Sequence, residues 1–172
     1  MTGVAFIGLG TMGGPMAKNL IVAGESLTGF DISASARRTA ADLGINLAAS
    51  LTDAGTGANI VITMLQNGEQ VVDVWRELLP LASHDTLFVD CSTIDIERCR
   101  LAHELAHKAG IKSVDAPVSG GVTGAREHNL TFMCGAQDDA FVAANPILKK
   151  WGRAFCTVAD QASAKRRSSA TT

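Results

Sequence analysis

The stretch Phe6-Ile7-Gly8-Leu9-Gly10-Thr11-Met12-Gly13 decides the fold of this chain. It places G-x-G-x-x-G between a short apolar run, residues 4–7, and an amphipathic segment that ends at Gly24. In such a turn the first glycine permits the tight bend, the second lets the backbone approach a pyrophosphate, and the third lets strand and helix pack closely. The following helix N-terminus offers free N–H groups to the anion. The predicted cofactor-binding residues of this loop are Gly8, Leu9, Gly10, Thr11, Met12 and Gly13.

An acidic residue follows this loop at the distance that dinucleotide binding requires. Asp31 ends the second predicted strand, eighteen positions after Gly13. A carboxylate there accepts hydrogen bonds from both ribose hydroxyls of NAD and repels the 2′-phosphate of NADP. Arg37 and Arg38 lie further along and weaken that discrimination. The predicted cofactor is therefore NAD, with NADP less favoured, and the alternative is a glycine-rich turn with an unrelated Asp.

Apolar segments of two kinds alternate along residues 1–158. Short β-branched runs predict strands, and longer amphipathic segments between them predict helices. The predicted class is α/β, a Rossmann-like doubly wound fold with a mainly parallel sheet, which forms one NAD-binding domain over residues 1–158. Strands are predicted at residues 4–7, 27–30, 45–48, 59–64, 86–89, 111–114, 130–134 and 155–158, and helices at residues 12–21, 34–43, 68–79, 94–109 and 138–150.

Composition excludes several classes of protein. The chain has 172 residues, of which 47% are hydrophobic and 19% charged, so an extended disordered protein is excluded. A net charge of −2 and the absence of Tyr argue against nucleic acid as a partner. The apolar runs are shorter than the roughly 20 residues of a membrane span, and the N-terminus lacks the basic region of a signal peptide. We therefore expect a cytoplasmic protein with no membrane partner.

The cysteines and histidines do not form a familiar metal pattern. Cys91, Cys99, Cys134 and Cys156 include no C-x-x-C pair. Residues 103–107, His-Glu-Leu-Ala-His, resemble the zinc-binding pattern H-E-x-x-H, but a zinc protease also needs a third ligand and a cleft, and nothing downstream suggests either. We therefore expect no metal, and the two histidines to lie on a solvated helix face.

Four segments together resemble the β-hydroxyacid dehydrogenase family. Residues 8–17 resemble its opening glycine loop, and residues 86–95, Thr-Leu-Phe-Val-Asp-Cys-Ser-Thr-Ile-Asp, are similar to a second marker. Residues 115–121, Asp-Ala-Pro-Val-Ser-Gly-Gly, look like its substrate-binding segment. Residues 130–133, Leu-Thr-Phe-Met, favour the 3-hydroxyisobutyrate dehydrogenases, with the tartronate semialdehyde reductases as the nearest alternative. The resemblance covers residues 3–158.

The resemblance implies a reaction and a set of site residues. It implies NAD-dependent oxidation of a 3-hydroxy acid to its semialdehyde by hydride transfer without a metal. The hydroxyl of Ser119 and the N–H groups of Gly120 and Gly121 would hold the substrate carboxylate. The alternatives without a binding role are a simple turn at residues 119–121 and a helix cap at Ser92 or Thr93. The cofactor-contacting positions implied are Met64, Leu65 and Thr93, with Gln66 where the family commonly carries Pro.

The resemblance also implies parts that residues 1–158 do not contain. The family's catalytic lysine follows in a context like Gly-x-Gly-x-Gly-Gln-x-x-Lys-x-x-x-Asn, and it begins an all-helical second domain through which family members homo-oligomerise. Residues 159–172 match neither part: Lys165 is their only lysine, no glycine turn precedes it, and no apolar helix follows. We expect this segment to be aberrant and disordered, and no catalytic residue is assigned.

A change of reading frame is our hypothesis for the origin of the aberrant segment. Permissible codons for residues 159–172, translated from the third base, give Gly-Ser-Gly-Val-Gly-Gln-Ala-Ala-Lys-Leu-Cys-Asn-Asn, which has the lysine pattern of the family. We therefore expect a chain truncated by a frameshift, whether from mutation or sequencing error. Two interpretations stay open: the gene of a 3-hydroxyacid dehydrogenase, and an inactive nucleotide-binding fragment. DNA sequencing across these codons distinguishes them.

Overall fold

A nine-stranded sheet organises the computed structural model, which describes residues 3–158. Apolar β-branched runs form its central strands, and helices between most of them return the chain to the edge of the sheet at which the next parallel strand begins. The strands are β1 (Gly3–Ile7), β2 (Ser26–Phe30), β3 (Asn46–Leu47), β4 (Ile60–Thr63), β5 (Leu87–Asp90), β6 (Lys112–Asp115), β7 (Val118–Ser119), β8 (Leu130–Ala136) and β9 (Gly152–Val158). The helices are α1 (Gly13–Val22), α2 (Ala34–Asp42), α3 (Leu51–Gly55), α4 (Gly68–Leu78), α5 (Ile96–Lys108), α6 (Gly121–Arg126) and α7 (Asp138–Leu148).

The strand order confirms the predicted Rossmann-like class. It is β3-β2-β1-β4-β5-β6-β8-β7, with β9 paired to β8. Strands β1 to β6 are mutually parallel, whereas β8 runs antiparallel to β6 and β7. The order reverses between β1 and β4, because the chain adds β2 and β3 on one side before it returns. Ligands of doubly wound sheets bind at such a switch point, outside the carboxyl ends of the strands.

Two apolar clusters cover the two faces of the sheet. In β1, Phe6 belongs to the cluster under α1 and α7, and Ile7 to the cluster under α3, α4 and α5. This alternation buries a central parallel strand on both faces, so its sequence is apolar throughout. Trp151 anchors the first cluster, since its Nε1 donates to the Met16 carbonyl at 2.7 Å and its ring stacks on Phe132. Among residues 3–158, no helix has both the length and the apolar character needed to cross a membrane.

The structure corrects three details of the predicted elements. Residues 118–126, for which neither a strand nor a helix was predicted, contain the strand β7 and the short helix α6, and α3 was not predicted either. Helix α4 ends at Leu78, and a 3-10 turn, Leu79–Leu81, continues through Pro80, whose missing N–H costs nothing at the start of such a turn. The expected disorder of residues 159–172 lies outside the described residues.

The N-cap of α5 is Asp95, so the alternative in which Ser92 or Thr93 caps this helix is wrong. The Asp95 carboxylate accepts from the Arg98 N–H at 2.8 Å. We expect Asp95→Ala to lower the free energy of unfolding by about 1 kcal/mol, because a first-turn N–H loses its acceptor. Urea unfolding measures this, with Asp85→Ala in the exposed loop before β5 as the control. Equal stability of the two variants would contradict the assignment.

Candidate cofactor site

The turn between β1 and α1 requires glycine at two positions. Gly8 has φ of +97°, and a Cβ there would lie 2.2 Å from the Met64 carbonyl oxygen. A Cβ on Gly13 would lie 1.9 Å from the Gly8 carbonyl oxygen. Both contacts are with backbone atoms, which cannot rotate away as a side chain can. The close packing of β1, α1 and the end of β4 therefore depends on these two glycines.

Gly10 and the start of α1 are open where a pyrophosphate would bind. A Cβ on Gly10 would meet nothing within 4 Å. Met12 occupies the N-cap of α1 without a capping hydrogen bond from its side chain, and the first turn has no acidic residue. By contrast, α2, α4 and α5 are capped by Ser33, Asn67 and Asp95. An uncapped helix N-terminus behind an open glycine offers free N–H donors, so these residues fit the pyrophosphate of a dinucleotide.

Asp31 is held rigidly at the end of β2. Its Oδ2 accepts from the Leu9 N–H at 2.8 Å, and its Oδ1 accepts from the Ser33 N–H at 2.7 Å. The Arg37 guanidinium donates to the main-chain carbonyls of Asp31 at 2.6 Å and Ile32 at 3.0 Å. The carboxylate is thereby tied to the glycine loop, and Arg37 is engaged by the backbone of the same turn.

A cavity of about 360 Å³ brings together predicted residues from three loops. The glycine loop contributes Gly8 and Gly10, the end of β2 contributes Asp31, and the segment after β4 contributes Met64 and Leu65. Its volume lies at the lower end of the range for small-molecule sites. Gln66, Gln70 and Asp73 add polar groups at its wall.

Ser92 positions one wall of this cavity and was not predicted to do so. Its Oγ accepts from the Leu65 N–H at 2.8 Å, and its own N–H donates to Asp90 Oδ1 at 3.0 Å. The hydroxyl thus links the loops that follow β4 and β5. The only sequence signal was a small hydroxyl residue two positions after a buried strand, and the same signal is typical of a helix cap.

The other predicted residues lie at the same edge but do not line this cavity. Thr93 follows β5, Ser119 ends β7, and Gly120 and Gly121 come directly after it; all four are exposed. Gly120 has φ of +128° and Gly121 has φ of +60°, so the chain turns sharply into α6. Helix α6 packs on α1, as a buried hydrogen bond of 2.6 Å from Asn19 Nδ2 to the Ala125 carbonyl shows. A second cavity contains Gly10 and Thr11 beside Val122 of α6, which brings this segment next to the glycine loop.

Comparisons with known proteins agree with this geometry. A family described as the NAD binding domain of 6-phosphogluconate dehydrogenase matches residues 3–160. A probable 3-hydroxyisobutyrate dehydrogenase of Mycobacterium tuberculosis is 43% identical over 149 residues, 87% of this chain and 51% of that protein. An NAD-dependent L-serine dehydrogenase of Pseudomonas aeruginosa is 41% identical over 156 residues, 89% of this chain and 52% of that protein.

A solved structure extends the likeness to three dimensions. The structure of 3-hydroxyisobutyrate dehydrogenase from M. tuberculosis with L-serine matches with a TM-score of 0.93 and 39% identity, over 97% of this chain and 58% of that one. The chain spans about half the length of the curated relatives that it matches. The glycine loop, the carboxylate after β2 and the family match over residues 3–160 together show that the chain belongs to the family of NAD-binding domains of the 6-phosphogluconate dehydrogenase type.

Proposed function

We propose that this domain binds NAD across the carboxyl ends of β1, β2 and β4. The observation that carries the proposal is the cavity shared by Gly8, Gly10, Asp31, Met64 and Leu65, next to a helix that no side chain caps at its start. The backbone N–H groups of the glycine loop would hold the pyrophosphate, and Asp31 would accept from the ribose hydroxyls. The loops that contain Met64, Leu65 and Thr93 would border the remainder of the cofactor.

NAD is preferred over NADP because of how the charges at this edge are held. Asp31 cannot turn away from a 2′-phosphate without losing its hydrogen bonds to the Leu9 and Ser33 N–H groups. Arg37, the cation nearest in sequence, donates to two backbone carbonyls and would have to give up those bonds to reach a phosphate. Both features disfavour an additional phosphate at this position.

The proposed reaction is the oxidation of a 3-hydroxy acid whose hydroxyl is a primary alcohol. 3-Hydroxyisobutyrate, the substrate in the names of the relatives, and L-serine share a carboxylate one carbon away from a CH₂OH group, and so does the alcohol formed from tartronate semialdehyde. Ser119 Oγ and the N–H groups of Gly120 and Gly121 are donors of the type that would bind this carboxylate. When bound, NAD accepts a hydride from the carbon that carries the hydroxyl.

The chain of 172 residues is proposed to bind the cofactor without catalysing turnover. Thr93, Ser119, Gly120 and Gly121 are exposed to solvent on the described domain, and no described residue is assigned as the base that takes the hydroxyl proton. General-base help is worth about 10²–10⁴ in rate, and an enclosed, oriented site is worth more. The purified chain is therefore expected to show no substrate-dependent NADH formation. Steady NADH production with 3-hydroxyisobutyrate or L-serine would contradict this.

Ser119→Ala tests the proposed carboxylate site by binding alone. In calorimetric titrations of the NAD-loaded chain, we expect this change to weaken 3-hydroxyisobutyrate binding about tenfold, because one hydrogen bond to a charged group is lost. Ser26→Ala is the matched control, since Ser26 is an exposed hydroxyl at the amino end of β2, on the opposite edge of the sheet. NAD affinity should be unchanged in both variants. Equal substrate affinities of the two variants would show that Ser119 does not bind the substrate carboxylate.

A further inference from the structure

A buried cluster of three chemically different side chains lies between α5 and β6, apart from the cofactor cavity. Cys99 and His103 are one turn apart on α5, and Asp115 is the last residue of β6. The Cys99 Sγ, an imidazole nitrogen of His103 and a carboxylate oxygen of Asp115 all lie within 4.8 Å of one another. The exposed fractions are 0% for Cys99, 4% for His103 and 0% for Asp115.

A polar and an aromatic neighbour hold the imidazole of His103 in place. Its Nδ1 lies 2.7 Å from Ser113 Oγ, and the Trp75 ring packs edge-on against the imidazole with 5.1 Å between the ring centres. With Nδ1 next to Ser113 Oγ, Nε2 is the nitrogen that would bind a metal. Histidine ligands of metals are usually oriented in this way, by a hydrogen bond at the other ring nitrogen.

The donor set selects the class of metal. A thiolate, an imidazole and a carboxylate are the three ligand types that zinc takes, whereas Ca²⁺ and Mg²⁺ prefer oxygen ligands alone. Zinc bonds of about 2.0–2.3 Å in a tetrahedron place ligand atoms roughly 3.3–3.8 Å apart. Side-chain rotations that bring the three atoms about 1 Å closer would therefore complete the geometry.

We propose that Cys99, His103 and Asp115 bind a zinc ion, with water as the fourth ligand. His103 also borders an open cavity of about 680 Å³, from which the ion and its water would reach the cluster past the imidazole. Other residues that line this cavity are Arg100, Glu104, Ser113, Gln137 and Asp139. This site differs from the pair of histidines weighed in the sequence. His107 is exposed, and Cys99, on the other side of His103 along the helix, completes the set instead.

A metal at this position would connect two segments that lead to the cofactor and substrate loops. Helix α5 follows the loop that carries Thr93, and Asp115 lies four positions before Ser119. Asp115 also pairs in register with Asp90, to which Ser92 donates. The ion would link α5 to the end of β6 and so stabilise the edge of the sheet from which both loops extend.

Cobalt titration of the full chain tests the proposal directly. After treatment with a chelator, the chain is titrated with Co²⁺ and then with Zn²⁺. We expect one Co²⁺ per chain, with a thiolate charge-transfer band in the near ultraviolet and visible bands typical of a tetrahedral ion, and we expect Zn²⁺ to displace it and raise the Tm. Absence of the thiolate band, or a Tm that Zn²⁺ does not raise, would overturn the proposal without recourse to any variant.

Two pairs of variants locate the site. Cys99→Ser and His103→Gln, which are close to the original side chains in size, are each expected to weaken Co²⁺ binding at least tenfold and to abolish or shift the thiolate band. The controls are His107→Gln and Cys134→Ser, which remove the exposed histidine and a cysteine buried in the other apolar cluster. Circular dichroism verifies that each variant folds. If Cys99→Ser keeps the band, or His107→Gln loses it, the ion binds elsewhere and the proposal fails.

Discussion

Gly10→Ala is expected to weaken NAD binding roughly 100-fold, equivalent to about 3 kcal/mol, without lowering the stability of the chain. The added methyl group would meet no protein atom within 4 Å, and Gly10 is not among the glycines with positive φ. The substitution is therefore expected to lower NAD affinity only because the methyl group obstructs the approach of the pyrophosphate to the backbone. Alanine also restricts the unfolded chain, so the free energy of unfolding should stay level or rise slightly.

Gly13→Ala provides the contrast, because its methyl group has no room in the protein itself. It would lie 1.9 Å from the Gly8 carbonyl oxygen, so α1 must move away from β1. We expect a loss of about 3 kcal/mol in the free energy of unfolding, at the upper end of what overpacking usually costs. Gly3→Ala is the control for both variants, since its Cβ would make only ordinary contacts, the nearest at 3.6 Å.

Urea unfolding and calorimetry separate these outcomes. The expected pattern is lost NAD affinity with kept stability for Gly10→Ala, lost stability for Gly13→Ala, and no change in either quantity for Gly3→Ala. If Gly10→Ala binds NAD as tightly as the parent chain, the pyrophosphate does not pass over this loop. The proposed cofactor site would then be wrong, whatever the stabilities are.

Asp31→Asn is expected to change the preference between NAD and NADP by roughly 100-fold. The substitution weakens the hydrogen bonds to the ribose hydroxyls, which costs NAD affinity, and it removes the charge that repels a 2′-phosphate. Each effect is expected to be about tenfold, so the ratio of the two dissociation constants changes by their product. Asp42→Asn, which removes the same charge from an exposed position at the end of α2, is the matched control.

The ratio of the NAD and NADP dissociation constants distinguishes recognition of the cofactor by Asp31 from its support of the glycine loop. Asp31 also holds the N–H groups of Leu9 and Ser33, and an amide oxygen replaces only one of these two acceptors. Damage to the loop alone would weaken NAD and NADP equally and lower the Tm. An unchanged ratio would therefore show that Asp31 shapes the loop without selecting the cofactor, and the preference for NAD would have no basis in this residue.

Local sequence patterns were sufficient to predict the architecture of the half of the sheet that contains the glycine loop. Glycine spacing, strand length and helix periodicity depend on residues within one or two turns of each other, so β1, α1 and β2 were predicted with nearly their observed bounds. Residues after Pro117 were harder to predict. The antiparallel pairing of β7 with β8 and the six-residue helix α6 depend on contacts with distant segments, such as the bond from Asn19 to the Ala125 carbonyl.

By itself, the sequence predicted the glycine loop and its acidic partner, because each is a spacing of residue types that chain geometry makes meaningful, and it indicated the family through the resemblance of whole segments. Only the tertiary structure decided that Ser92 supports Leu65 and that Asp95 caps α5. It also decided that Asp115 meets Cys99 and His103, from a strand that follows their helix. Such contacts depend on how strands align and how a helix rotates about its axis when it packs. Those quantities are set by the whole core, and no short stretch of sequence encodes them.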